Sequence, residues 1–173
     1  MINDEFLDAA FAAAGQDGWR RLRAPSLLDA AFKRADNRLI GDDAGADQPM
    51  RDRLFDLTMR HLEALVPLRS GLKALLDPRR GDPVASLASG PILRRSIRAI
   101  LTAAGLSPNG PNGILRGIGM TAIYLAAFRV FLNDEGPDLG ATMAELDRRI
   151  TQIEPWAERL NRGGVFVQCK KDH

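Results

Sequence analysis

Residues 51–76 read RDRLFDLTMRHLEALVPLRSGLKALL, and their spacing decides the fold class. Leu54, Phe55, Thr58, Met59, Leu62 and Leu65 recur at three- and four-residue intervals on one side, with charged residues between them. That period belongs to an amphipathic helix, predicted over Arg51 to Val66. His61, between Arg60 and Leu62, reads as a surface or edge residue of it. Pro67 opens a following helix, because its fixed φ suits a first helical position, and that helix is expected to run to Leu76, before Asp77-Pro78.

Upstream, Leu27, Leu28, Ala31, Phe32, Ala35 and Leu39 form a second apolar stripe ending at Gly41. Ser26 is expected to cap that helix, with Asp29 reaching back in a variant of the capping box. A first helix is expected from Asn3 to Gly15, and residues 41–49 (GDDAGADQP) read as an acidic loop. Downstream, Asp82-Pro83 starts a helix that continues to Ala104 with a bend at Gly90-Pro91. Residues 105–113 (GLSPNGPNG) are a loop. A long helix is predicted from Ile114 to Asn133. Asp138 is expected to cap a last one carrying Leu139, Met143, Leu146, Ile150 and Ile153, interrupted at Pro155. No alternating strand pattern stands out. The expectation is an all-α array of eight or nine helices.

Composition narrows the chemistry. A chain of 173 residues buries roughly 70% of its unfolded surface on folding, enough for a core without metals or disulfides. Net charge is only +2, so a polyanion partner is not implied. Cys169 is the single cysteine, which leaves no internal disulfide. Met1 to Phe11 carries Asp4, Glu5 and Asp8 and no basic side chain, unlike a secretory signal. The apolar run Gly117–Phe128, between Arg116 and Arg129, falls short of the ~20 residues a spanning helix needs. A cytoplasmic protein without stable membrane insertion is expected.

His61, His173 and Cys169 do not make a standard zinc ligand set. Asp42, Asp43 and Asp47 lack the spacing of a calcium loop. Neither G-x-S-x-G, H-E-x-x-H nor a phosphate-binding loop motif stands in the chain. The expectation is a noncatalytic protein with no metal and no cofactor.

Three stretches carry a resemblance: PSLLDAAFKRAD (25–36), residues 51–76 quoted above, and YLAAFRVFLNDEGPDLGATMAELDRRI (124–150). Their order and spacing look like the C-terminal region of TetR/AcrR-family regulators. FLDAAFAAAGQDGWRRL (6–22) is similar to that family's first helix and the corner after it. The resemblance implies three parts: 1–24, a remnant of the DNA-binding head; 25–160, a ligand-binding and dimerisation domain; and 161–173, a tail. Between Leu22 and Leu27 only Arg23, Ala24, Pro25 and Ser26 remain. Two short helices and a turn need roughly 20 residues at that point, so no DNA contact is carried over. Arg20, Arg21, Arg23, Lys33, Arg34 and Arg38 read as solvated charges mixed with Asp17, Asp29 and Asp36.

By the same resemblance, an apolar ligand pocket would be lined by Met59, Leu62, Leu72, Leu76, Ile97, Met120 and Phe128, with Thr121 and Tyr124 as polar handles. A dimer interface would use Gly117, Ala122 and Ala126 with Met143, Leu146 and Ile150. The implied function is a noncatalytic regulatory protein binding a small apolar ligand or a partner protein, as a homodimer or paired with a full-length TetR-like relative. Two alternatives stand beside it. One is a lipid-binding accessory protein similar to the ubiquinone-biosynthesis family that shares this architecture. The other is a TetR-family regulator contacting DNA through an atypical surface.

Overall fold

The computed structural model describes Glu5, Asp8, Ala9 and residues 24–39, 47–76 and 83–162. The helix expected at Asn3–Gly15, the loop at 41–46 and the tail beyond Arg162 lie outside the described residues, apart from those three isolated positions. Among the described residues every regular element is helical: α1 (Ala24–Asn37), α2 (Met50–Glu63), a 3₁₀ turn (Val66–Leu68), α3 (Arg69–Leu75), α4 (Pro83–Ala103), α5 (Gly110–Phe131) and α6 (Gly140–Arg162). No strand is present among them. The chain is all-α.

The stripes read from sequence become the core. Helix α2 lies at the centre and meets α1, α4, α5 and α6; α1 lies along α4, and α6 folds back along α5. Leu57, Leu62, Leu65, Leu68 and Leu72 from the α2–α3 segment are fully buried beside Ile100, Phe131 and Leu146. Burying such a side chain contributes about 1.5–3 kcal/mol each, so this cluster supplies much of the drive to fold.

Several element ends differ from expectation. Ser26 lies inside α1, which begins at Ala24, rather than at a cap position, and Asp29 is engaged by cations. Its carboxylate instead takes Lys33 and Arg95, whose charges outcompete a backbone donor. Pro67 sits in the 3₁₀ turn, and α3 begins only at Arg69. Helix α4 runs through Pro91 to Ala103, close to its expected end, whereas α6 continues past the interruption expected at Pro155 to Arg162.

The start of α6 is the most informative correction. Leu139 takes a left-handed φ of 53°, which turns the chain before Gly140. The carboxylate that holds the helix start belongs to Asp134, not Asp138. Its Oδ2 accepts from the Thr142 backbone N–H at 2.8 Å and from the Thr142 hydroxyl at 2.7 Å. Its Oδ1 accepts from the Gly136 N–H at 3.2 Å. Arg69 of α3 donates to the Asp134 carbonyl and lies over the Phe131 ring, tying this corner to the bundle.

Helix α5 also begins earlier than expected, at Gly110 with φ +73°. Gly113 then presses against the loop before it: a Cβ there would stand 2.3 Å from the Pro108 carbonyl carbon. The loop folds back only because that side chain is missing.

Candidate functional site

Four helices bring polar groups to one point inside the core. Asp36 comes from the end of α1, His61 from α2, Arg95 and Ser96 from α4, and Tyr124 from α5. His61 and Tyr124 are both wholly shielded from solvent. His61 is therefore a core residue, which corrects its reading as a surface or edge position. It stands four residues after Leu57 and three after Thr58, both buried, so the helical period carries it inward despite Arg60 beside it.

The hydrogen bonds form a chain. Asp36 Oδ1 lies 3.1 Å from His61 Nε2, and His61 Nδ1 lies 3.0 Å from the Tyr124 hydroxyl. Burial, reinforced by the Asp36 charge, holds the Tyr124 hydroxyl well above its ordinary pKa. The phenol therefore keeps its proton. With the imidazole proton on Nε2, the ring donates to the Asp36 carboxylate and takes the phenol's hydrogen bond at Nδ1. All three groups are satisfied by that one arrangement.

Asp36 Oδ2 accepts from Arg95 Nε at 2.9 Å, and Arg95 Nη1 also donates to Asp29. Burial disfavours the Asp36 charge, yet the hydrogen bonds from His61 and Arg95 outweigh it and lower the carboxyl pKa. The Ser96 hydroxyl is buried next to this carboxylate without meeting it in hydrogen-bond geometry. Around the chain, Phe32, Tyr124, Phe128 and Phe131 pack ring against ring at 5.8–6.0 Å, and His61 meets Tyr124 edge-on. Aromatic pairs of this kind add about 0.5–1.5 kcal/mol beyond their area. The cluster locks α1, α2, α4 and α5 in one register.

Asp36 also touches the outside. Its side chain is 12% exposed and lines a surface groove of about 580 Å³ between α1 and α4. Lys33, Arg95 and Arg98 supply the charged rim. Leu39, Ala99, Ala103 and Pro108 supply an apolar floor. Sequence reading missed this groove, since its two walls lie about sixty positions apart in the chain. Arg98 recurs three residues after Arg95, and Lys33 three before Asp36, so a polar flank on each helix was the available signal.

Of the residues expected to line an apolar pocket, Met59, Leu62, Leu72, Ile97, Met120, Tyr124 and Phe128 are buried together in the hydrophobic core. Leu76 packs partly buried at its edge. Thr121 is half-buried and donates to the Gly117 carbonyl of its own helix at 2.7 Å. None of the nine lines the groove.

Of the expected interface residues, Leu146 and Ile150 are buried within the chain's own core, and Met143 packs against it. That side of α6 is spent on α5 and α2. Ala122 is exposed, and Gly117 and Ala126 are half-buried on α5. The larger exposed side chains of that helix were not singled out. They are Ile114 (64% exposed), Leu115, Ile118 (63% exposed) and Leu125. Among the described residues α5 is also the one helix long and apolar enough to cross a membrane, although its inner side forms core.

Lys33 and Arg34, weighed above as solvated charges, sit in ion pairs with Asp29 and Asp8. No protein-family model and no curated protein matches the chain.

Proposed function

We propose that this chain is a noncatalytic, TetR-like helical protein that works by association, pairing with a second copy or a TetR-like relative through the outer side of α5. The observation that carries this reading is the bare apolar side of that helix. A helix apolar on all sides is normally buried on all sides. Here Ile114, Ile118, Thr121 and Leu125 follow one another at four-, three- and four-residue steps, the spacing of a helix–helix seam. Gly117 and Gly119 have nothing within 4 Å of where a Cβ would stand, so a second backbone has room to approach.

Specific DNA reading is not part of the proposal. Ala24, Pro25 and Ser26 belong to α1, and the buried side of that helix, from Leu27 to Ala35, is engaged with α4. The test is sedimentation velocity of the wild-type chain against Ile118→Glu with Leu125→Lys. The expected result is a dimer that becomes a folded monomer in the variant. A wild-type chain that stays monomeric at micromolar concentrations refutes pairing between copies, and absence of a partner in co-expression with a relative refutes the rest. A tight, salt-resistant shift of one upstream DNA sequence would restore the regulator reading.

A lipid-handling role is the second reading, favoured by the length and apolar character of α5. Flotation with phosphatidylglycerol vesicles distinguishes it: co-migration abolished by Ile118→Glu supports lipid over protein as the occupant of this side.

A further inference from the structure

We propose that the groove between α1 and α4 is a binding site for an amphipathic monoanion, a medium-chain carboxylate with its head on Arg98 and Lys33 and its chain along Ala99, Ala103 and Pro108. The site is separate from the outer side of α5 and does not depend on pairing there.

Charge and shape both point to this class. The groove presents three cations against one carboxylate, Asp36. Arg95 is engaged by Asp29 and Asp36, and Lys33 by Asp29. Arg98 is different: it donates to the neutral amide oxygen of Asn109 at 2.9 Å, and among the described residues no carboxylate pairs with it. Arg95 is one of the lining residues, and its charge is already shared between two carboxylates. Arg98 is therefore the cation of the groove whose charge a bound anion would answer.

The apolar floor disfavours a purely hydrophilic occupant such as inorganic phosphate, which would leave Ala99 and Ala103 facing water. The volume of about 580 Å³ lies within the range of small-molecule sites and accommodates a ten-carbon chain. A neutral hydrocarbon would leave the Arg98 charge unanswered. The combination fits an anion with a tail.

Calorimetric titration of the full chain with sodium decanoate, held below its micelle-forming concentration, tests the site. Acetate and inorganic phosphate are the head-only controls. Decanoate is expected to bind and the controls not to. Arg98→Ala is expected to weaken decanoate about tenfold through loss of a charge-assisted hydrogen bond. Ala103→Trp, which fills the floor without removing a charge, is expected to weaken it at least as much. In ¹H–¹⁵N spectra decanoate should move the amides of Leu39, Ala99 and Thr102 and leave Ile118 in place. No decanoate binding, equal binding of acetate or phosphate, binding indifferent to Ala103→Trp, or shifts confined to α5 would each overturn the proposal.

Discussion

Asp36 on α1 and His61 on α2 stand 3.1 Å apart in the middle of the bundle, and the Tyr124 hydroxyl meets the other nitrogen of the same ring at 3.0 Å. The Asp36 carboxylate can only accept, so it takes Nε2–H, and Nδ1 is left to the phenol. This arrangement gives each of the three groups a partner inside the core.

Removing links of this chain should cost unequal amounts. Tyr124→Phe keeps the stacking on Phe128 and removes only the hydroxyl, leaving Nδ1 without a donor. A loss of about 1–2 kcal/mol is expected. Asp36→Ala takes a partner from both His61 and Arg95 and should cost about 3–4 kcal/mol. Urea denaturation followed by far-ultraviolet circular dichroism measures both. Two losses of similar size would contradict the network as described.

Acid should loosen the fold through the same carboxylate. The Asp36 carboxyl pKa is lowered in the folded chain, as are those of Asp29 and Asp134. The unfolded chain therefore binds protons more readily than the folded one, and stability rises with pH across this range. The stabilisation is complete above the ordinary carboxyl value of about 3.9 and is lost as pH falls through the lower folded values. Melting temperature measured from pH 7 down to pH 2.5 should fall on the acid side. Asp36→Asn should flatten that fall. An unchanged slope in the variant would assign acid sensitivity elsewhere.

Two glycines of α5 should respond in opposite directions. A methyl group at position 113 would meet the Pro108 backbone at 2.3 Å, and backbone cannot swing aside as a side chain can. Gly113→Ala should destabilise by about 1–3 kcal/mol. Gly119 has open space around it, so Gly119→Ala gains helix propensity and should stabilise by up to about 1 kcal/mol. Thermal melts of the two single variants decide the point.

The start of α6 gives a fourth test. Asp134→Ala strips the Thr142 N–H and hydroxyl of their acceptor and should cost about 1–2 kcal/mol, the worth of a helix cap. Asp138→Ala should cost far less, since the cap does not depend on it. Reversal of that order would return the cap to Asp138.

The fold class was legible because apolar side chains recur at the helical period over 51–76 and again in α1, α5 and α6. Burial enforces that period along the chain, and periodicity is local information. What stayed hidden was set by contacts across the chain. Asp36 and His61 each occupy an inward position, but a charged or polar residue there is admissible only if its partner arrives from elsewhere. Those partners are Arg95 and Tyr124, fixed by packing. The same holds for Asp134: a residue eight positions before Thr142 becomes its acceptor only because Leu139 turns the chain left-handed. The groove needed α1 beside α4, and no spacing rule supplies that pairing.

The buried carboxylate has a bearing on how the molecule assembles during synthesis. Asp36 leaves the ribosome well before its partners, His61 lying 25 residues later and Arg95 59 residues later. Until α4 has been made, an aspartate on the inner side of α1 has no cation to receive it and is better left in water. On vectorial synthesis this early helix is expected to emerge ahead of its neighbours and to dock only once α4 is available, an order that pulsed hydrogen exchange on arrested chains would test.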